Sequence, residues 1–201
     1  MTPAASAPAA FDTRTRILNL GEELLLARGF NAFSYQHIAR ELGVKPAAIH
    51  YHFPSKEDLG LAVVHRQLGR LRKWRDLPRV TELTPVQQLD ALLDVYRQRA
   101  AHGPQVCLFG SLAADFLTLP APMQQELRTF SAELTHWLAG VLAAGRADGS
   151  LQFAGHPFSK AALVLTSLVG ALQVARVNGE AQFHYLLRQL LQELLPDASA
   201  G

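Results

Sequence analysis

Apolar residues recur every three or four positions along almost the whole chain, and no stretch alternates apolar with polar as a strand would. The pattern predicts an all-α protein of about nine helices. The first starts at Asp12 or Thr13, either of which can cap it, carries Ile17, Leu20, Leu24 and Ala27 on one face, and stops at Gly29. Ser34 can cap a second helix, in which Ile38 and Leu42 fall one turn apart before Gly43 ends it. Pro46 suits the first turn of a third, with Ile49 facing inward. Ser55, followed by Glu57 and Asp58, starts a fourth that carries Leu59, Val63, Leu68 and Leu71 to about Trp74. Thr84-Pro85 opens the next, with Leu89, Leu92, Leu93 and Tyr96 on its apolar side, closing near His102-Gly103-Pro104. Pro104 begins a helix through Val106, Cys107, Phe109, Leu112 and Phe116 to about Leu119, ahead of the breaker Pro120-Ala121-Pro122. A long helix from about Met123 to Ala147 follows, and then two more, about 158–177 and 181–195.

The stretch from Ser34 to Phe53 has the order of a helix-turn-helix. Ala39 is small enough for a second helix to approach, Gly43 supplies the turn, and Val44 and Ile49 can enter the core. That leaves Lys45, Pro46, Ala47, Ala48, His50, Tyr51 and His52 at or near the start of the second helix, where such motifs meet base edges and phosphates. Lys45 can contact a phosphate, the two histidines and the tyrosine can hydrogen-bond phosphate or bases, and Ala48 can touch a thymine methyl. Ser34, Tyr35 and Gln36, at the start of the first helix of the pair, complete the expected DNA-binding set with Lys56.

From Gly29 to Lys56 the run G-F-x-x-F-S-x-x-x-I-A-x-x-L-G-V-x-x-x-x-I-x-Y-H-F-x-S-K resembles the DNA-binding signature of the tetracycline-repressor (TetR) family. The resemblance implies a flexible arm (1–11), a DNA-binding domain (12–55) and a larger effector-binding and dimerisation domain (56–201). It also implies phosphate contacts from Ser34 and Lys56, and signalling through the helix that follows Lys56. Two positions depart from the family pattern. Lys45 stands where a capping serine is usual, a loss of roughly 1 kcal/mol, and His50 stands where many members have tyrosine.

Charge supports a DNA-facing end. Residues 1–80 hold 12 Lys+Arg against 7 Asp+Glu, whereas residues 81–201 hold 7 against 10, although a solvated basic helix around residues 66–79 accounts for much of the excess. A single cysteine rules out an intramolecular disulfide and a Cys-rich zinc site. Together with a start that lacks a signal peptide's basic and apolar regions, this points to the cytoplasm. No uninterrupted apolar run reaches the roughly 20 residues of a membrane span. Enzymes fare poorly: there is no G-x-S-x-G, P-loop or G-x-G-x-x-G, and neither a cofactor nor a metal is expected. His50 and His52 do not make a metal pair, since alternate helix residues point about 200° apart. A helical interaction module without DNA is the remaining alternative, and the charge asymmetry argues against it.

In the body, Trp74, Tyr96, Cys107, Phe109, Phe116, His136 and Trp137 are candidate effector contacts, with Phe130 a further aromatic. Aromatics at helical spacing fill interiors far more often than they form ligand boxes, so a core role is the first expectation for each and about a third are expected to meet a ligand. The segment CLFGSLAADFL resembles the matching helix of N-ethylmaleimide-reductase repressor-like regulators, some of which sense electrophiles through a cysteine there. Cys107 could be core packing, pocket lining or an electrophile sensor, the last favoured if a helix N-terminus lowers its pKa. The final two helices carry more apolar surface than one subunit needs. By resemblance they pair with their two-fold copies, with Leu165, Leu168, Leu172, Phe183, Leu187, Leu190, Leu191 and Leu194 at the interface, unless these are internal core helices. The expected function is a homodimeric repressor that leaves a palindromic operator when a small-molecule or electrophilic effector binds.

Overall fold

A computed structural model describes residues 10–101 and 107–195. Among these residues the secondary structure is helical throughout: α1 (Ala10–Arg28), α2 (Tyr35–Leu42), α3 (Pro46–His52), α4 (Lys56–Arg75), α5 (Pro78–Thr81), α6 (Pro85–Ala101), α7 (Leu108–Asp115), α8 (Ala121–Ala147), α9 (Pro157–Asn178) and α10 (Glu180–Gln192), with a single 3-10 turn at Phe116–Thr118. The all-α expectation holds, and the additional element is α5, one turn started by Pro78 and held by buried Val80. Most of the expected arm (residues 1–9) and His102 to Val106 lie outside the described residues. Asp12 and Thr13 do not cap α1, which already includes Ala10. The helix expected from Pro104 to about Leu119 is shorter than its apolar run, because Cys107 is its N-cap and the chain tightens into the 3-10 turn before Pro120.

Two apolar cores share the molecule. The first gathers Ile17, Leu25, Phe30, Phe33, Ile38, Ile49 and Phe53 from the N-terminal helices with Leu59, Val63 and Val64 of α4, and extends to Leu108, Leu112, Met123 and Leu127 of α7 and α8. The second is built by α6, α8, α9 and α10 around Leu93, Leu138, Leu142, Val164, Leu168 and Phe183, and Leu71 and Trp74 of α4 pack against it. Helix α4 therefore belongs to both, and the expected boundary at residues 55/56 falls at the start of a helix that the two units share.

Ion pairs reinforce that sharing. Arg66 and Arg70 both meet buried Glu22 of α1, Gln67 donates to the same carboxylate, and Arg72 binds Glu133 of α8 through Nε at 3.1 and 3.2 Å. Arg75 lies 3.6 Å from Glu133 as well. The Arg72 hydrogen bond is the main reason the Glu133 carboxyl is held below its ordinary range. Much of the basic surplus noted in the sequence thus ties α4 to α1 and α8 rather than facing DNA.

Helix α9 is 22 residues long and contains an 18-residue window with a mean hydropathy of 1.5, enough by length and composition alone to cross a membrane. Its inner face packs into the second core through Ala161, Val164, Leu168, Ala171 and Leu172. Leu168, Leu172, Phe183, Leu187 and Leu194, assigned from sequence to a dimer interface, are all buried within the single chain. In the single chain they pack α9 against α10 and the second core, and none is more than 3% exposed. What α9 does expose is another stripe, Leu163, Ser167, Gly170, Val174 and Val177, spaced by four and three residues.

Candidate DNA-binding face and effector cavity

Short-range features position α3. Gly43 takes the left-handed conformation, φ 67° and ψ 31°, and the Val44 N–H bonds the Ala39 carbonyl at 3.0 Å, which turns the chain sharply out of α2. Lys45 is the N-cap of α3 with no side-chain cap bond, and Pro46 follows in the first turn. Ile49 is wholly buried and anchors the helix. Lys45, Pro46, Ala47, His50 and Tyr51 are then exposed, while Ala48 and His52 are half-buried. Tyr51 is 81% exposed, a large aromatic ring left in solvent with only the edge of His52 beside it. Helix α2 contributes exposed Gln36 and Arg40 and half-buried Ser34 at its N-cap.

His50 has a defined proton. Its Nδ1 lies 3.0 Å from the Pro54 carbonyl, which can only accept, so Nδ1 carries hydrogen and a neutral ring offers Nε2 as an acceptor. A phosphate would need the charged ring, whereas a base amino group suits the neutral one. His37, which the apolar pattern did not single out, is fixed the other way. Its Nδ1 accepts the Ser34 N–H at 3.2 Å, so the ring proton sits on Nε2 as a donor.

Two of the expected contacts also have partners within the domain. The Tyr35 hydroxyl donates to the Phe53 carbonyl at 2.9 Å and also approaches that of Ser55, and its ring meets His50 edge-on. Burial, with the Asp58 charge second, pushes this phenol up to about 12, so it remains a donor at neutral pH. Tyr35 braces the end of the recognition helix. Lys56 sets its ammonium 4.7 Å from the centres of both Phe30 and Phe33, and partial burial lowers its pKa against the opposing pull of Asp115. Both side chains hold the motif together, a role hidden in the sequence because their partners lie on other elements.

Between α1, α4, α6, α7, α8 and α9 lies a cavity of about 400 Å³. Trp74, Tyr96, Cys107 and Phe109 line it as expected, and Phe130 joins them. Phe116, His136 and Trp137 do not line it. Phe116 is covered by the Arg128 guanidinium, His136 is exposed against Phe158, and Trp137 packs edge-on behind Trp74 at 5.1 Å. Leu165, placed from sequence at the dimer interface, turns out to line this cavity, as do Arg70, Arg99, Thr135 and Thr166. Arg99 had a legible signal, since Leu92, Tyr96 and Arg99 share one stripe of α6.

Cys107 is buried at the N-cap of α7, with the Gly110 N–H 3.3 Å from its sulfur. That bond favours thiolate, but burial is the larger effect and pushes the thiol up. The expected depression of this pKa by the helix start is therefore overturned by desolvation. Iodoacetamide is expected to label the native protein near neutral pH at least about ten-fold more slowly than an unfolded sample, with the rate rising towards alkaline pH. Fast native labelling, followed by mass spectrometry, would restore the sensor reading.

Helix α7 bridges the cavity and the DNA-binding unit. It begins at the cavity with Cys107 and Leu108, and midway Ser111 donates to the Leu25 carbonyl at 2.5 Å. At its far end Asp115 accepts the Phe30 N–H at 2.7 Å, the Asn31 N–H at 3.3 Å and the Asn31 side-chain amide at 3.1 Å. Gly29, at φ 84°, makes room for this contact, since a Cβ there would stand 2.8 Å from the Asp115 carboxylate.

An N-terminal helix-turn-helix with an exposed reading helix, joined through shared helices to a body with a cavity of about 400 Å³, defines a class of ligand-responsive helical DNA-binding proteins. Residues 17–63 match the family of bacterial regulatory proteins, tetR family, and residues 85–191 match the tetracyclin repressor-like C-terminal domain. The chain belongs to the TetR family of transcriptional regulators, which are not enzymes. Among relatives, it is 27% identical over 175 residues to the HTH-type transcriptional repressor NemR of Escherichia coli, covering 83% of this chain and 85% of that one. A TetR-family regulator from Agrobacterium tumefaciens has the same fold with TM-score 0.85 and 27% identity, covering 94% of this chain and all of that one. A TetR regulator from Legionella pneumophila follows at TM-score 0.76 and 28% identity, covering 96% and 98%.

Proposed function

We propose that two copies of this chain form a cytoplasmic repressor that binds a two-fold symmetric operator, and that a small molecule in the cavity releases it. The observation that carries the reading is Tyr51. A tyrosine 81% exposed on a short helix, whose inner face is locked by Ile49 and whose end is braced by Tyr35, is unneeded for folding and well placed for a groove. Residues 12–55, with the start of α4, act as the reading unit, and residues 56–201 as the effector and dimer body. The face assigned to the second copy is the outer stripe of α9, where Leu163 is 60% and Val177 84% exposed, together with half-exposed Tyr185 of α10 and the half-buried Leu190 and Leu191. Two recognition helices in such a dimer meet half-sites about 34–36 Å apart, or a multiple of this.

Release needs a path from cavity to reader, and α7 supplies one beside α4. A ligand that displaces Cys107 or Phe109 acts on the same eight-residue helix that holds Phe30 and Asn31 through Asp115. The effector must bind the non-docking arrangement more tightly than the docking one.

Selection from a random duplex pool by the purified protein tests the proposal. Enrichment of a two-fold symmetric motif, with log affinity falling linearly with log salt, is the expected result. A protein that enriches no motif at low and moderate salt, and whose duplex affinity ignores salt, is an interaction module instead.

A further inference from the structure

The cavity wall is not electrically balanced. Its one acid among the described residues is Glu22, which is met by both Arg66 and Arg70. Arg99 also stands on the wall, half-buried, and no carboxylate pairs with it among the described residues. One turn away, Tyr96 is buried with its hydroxyl in no hydrogen bond among the described residues. Burial pushes both the Tyr96 phenol and the Cys107 thiol up, and the charge of Arg99, on the same wall, opposes this in each. A half-buried guanidinium without an acid and a cavity-lining hydroxyl without a protein partner leave donors free for a ligand on an otherwise apolar wall. Both can be satisfied by one anionic oxygen group. Around them the wall is aromatic and aliphatic: Trp74, Phe109, Phe130, Leu134 and Val169.

Resting on the reading of this cavity as the effector site, we propose that the effector is an apolar organic acid, its carboxylate or sulfonate held between Arg99 and Tyr96 and its body packed against Trp74, Phe109 and Phe130. Arg99 supplies a planar fork of donors that matches such a head group, and Tyr96 adds one O–H donor. Neutral and cationic molecules of the same shape leave Arg99 unanswered, so they bind less well.

Two dyes that share a ring system test this. 8-Anilinonaphthalene-1-sulfonate carries the anion, N-phenyl-1-naphthylamine lacks it, and both brighten in apolar surroundings. The wild-type protein is expected to bind one sulfonate dye per chain at least about ten-fold more tightly than the neutral dye. Arg99→Gln should remove that preference by weakening the sulfonate dye about ten-fold with little change for the neutral one, and Tyr96→Phe should weaken it to a lesser degree. Equal or tighter binding of the neutral dye, or equal losses for both dyes in Arg99→Gln, overturns the anion assignment and leaves the effector site intact. Ala162→Phe, which fills the cavity, should abolish both. If neither dye binds the wild-type protein, or both still bind Ala162→Phe, the effector-site reading itself fails. The Arg99→Gln comparison stands even if the filled variant does not fold.

Discussion

Tyr51→Ala is expected to lower affinity for the selected operator by about a hundred-fold while leaving the fold and the oligomeric mass unchanged. Contacts to base edges are worth roughly 1–3 kcal/mol each, and 1.4 kcal/mol is ten-fold in affinity. A dimer docks two copies of α3, so one substitution removes two contacts. With 81% of Tyr51 exposed, little packing is lost, and the melting temperature should move by no more than a degree or so. Tyr51→Phe separates the hydroxyl from the ring and should cost less. Fluorescence anisotropy with the selected duplex gives the affinity and light scattering the mass. Unchanged operator affinity in Tyr51→Ala would take this residue out of the interface and, with it, the main support for the orientation of α3.

Asp115→Ala should act in the opposite place, on stability and on communication. The Asp115 carboxylate gathers two backbone N–H groups and the Asn31 amide across the junction between body and reader. Charge-assisted bonds of this kind are worth about 1.5–3 kcal/mol, so a loss of about 2 kcal/mol in urea unfolding is expected for this part-exposed group. Asp115→Asn retains an acceptor and should fall between the two. Hydrogen exchange gives the local readout: the Phe30 and Asn31 amides should lose protection in Asp115→Ala, while Leu142 and its neighbours in the second core keep theirs. Equal protection of those two amides in wild type and variant would remove α7 as a carrier between cavity and reader, leaving α4 alone.

The helix-turn-helix was legible because its signals are local. Gly43 as the stop, Pro46 as the start and Ile49 as the anchor each act on neighbours within one or two turns, and the structure bears out all three. Cys107 shows where local reasoning fails. Its place at a helix start was readable, but the burial that reverses the pKa effect comes from helices distant in sequence. Tyr35 and Lys56 sit in the expected segment, but their partners within the domain, the Phe53 and Ser55 carbonyls and the Phe30 and Phe33 rings, were not legible from the local pattern.

The sequence alone determined an all-helical chain, the reading helix and its exposed Lys45, His50 and Tyr51, and the family signature from Gly29 to Lys56. Helical periodicity and turn chemistry need no distant partner to be read. Tertiary structure alone decided the faces of the last two helices. An amphipathic pattern marks an inner side only when one side is polar, and α9 is apolar over most of its circumference, so packing had to assign Leu168 and Leu172 to the core, Leu165 to the cavity and Leu163 and Val174 to the surface. The same holds for the union of Asp115 with Phe30, 85 residues away, and for Arg99 and Tyr96 on one cavity wall with no free acid among the described residues. Which charges meet and which remain unanswered is settled only when separate helices close on one another.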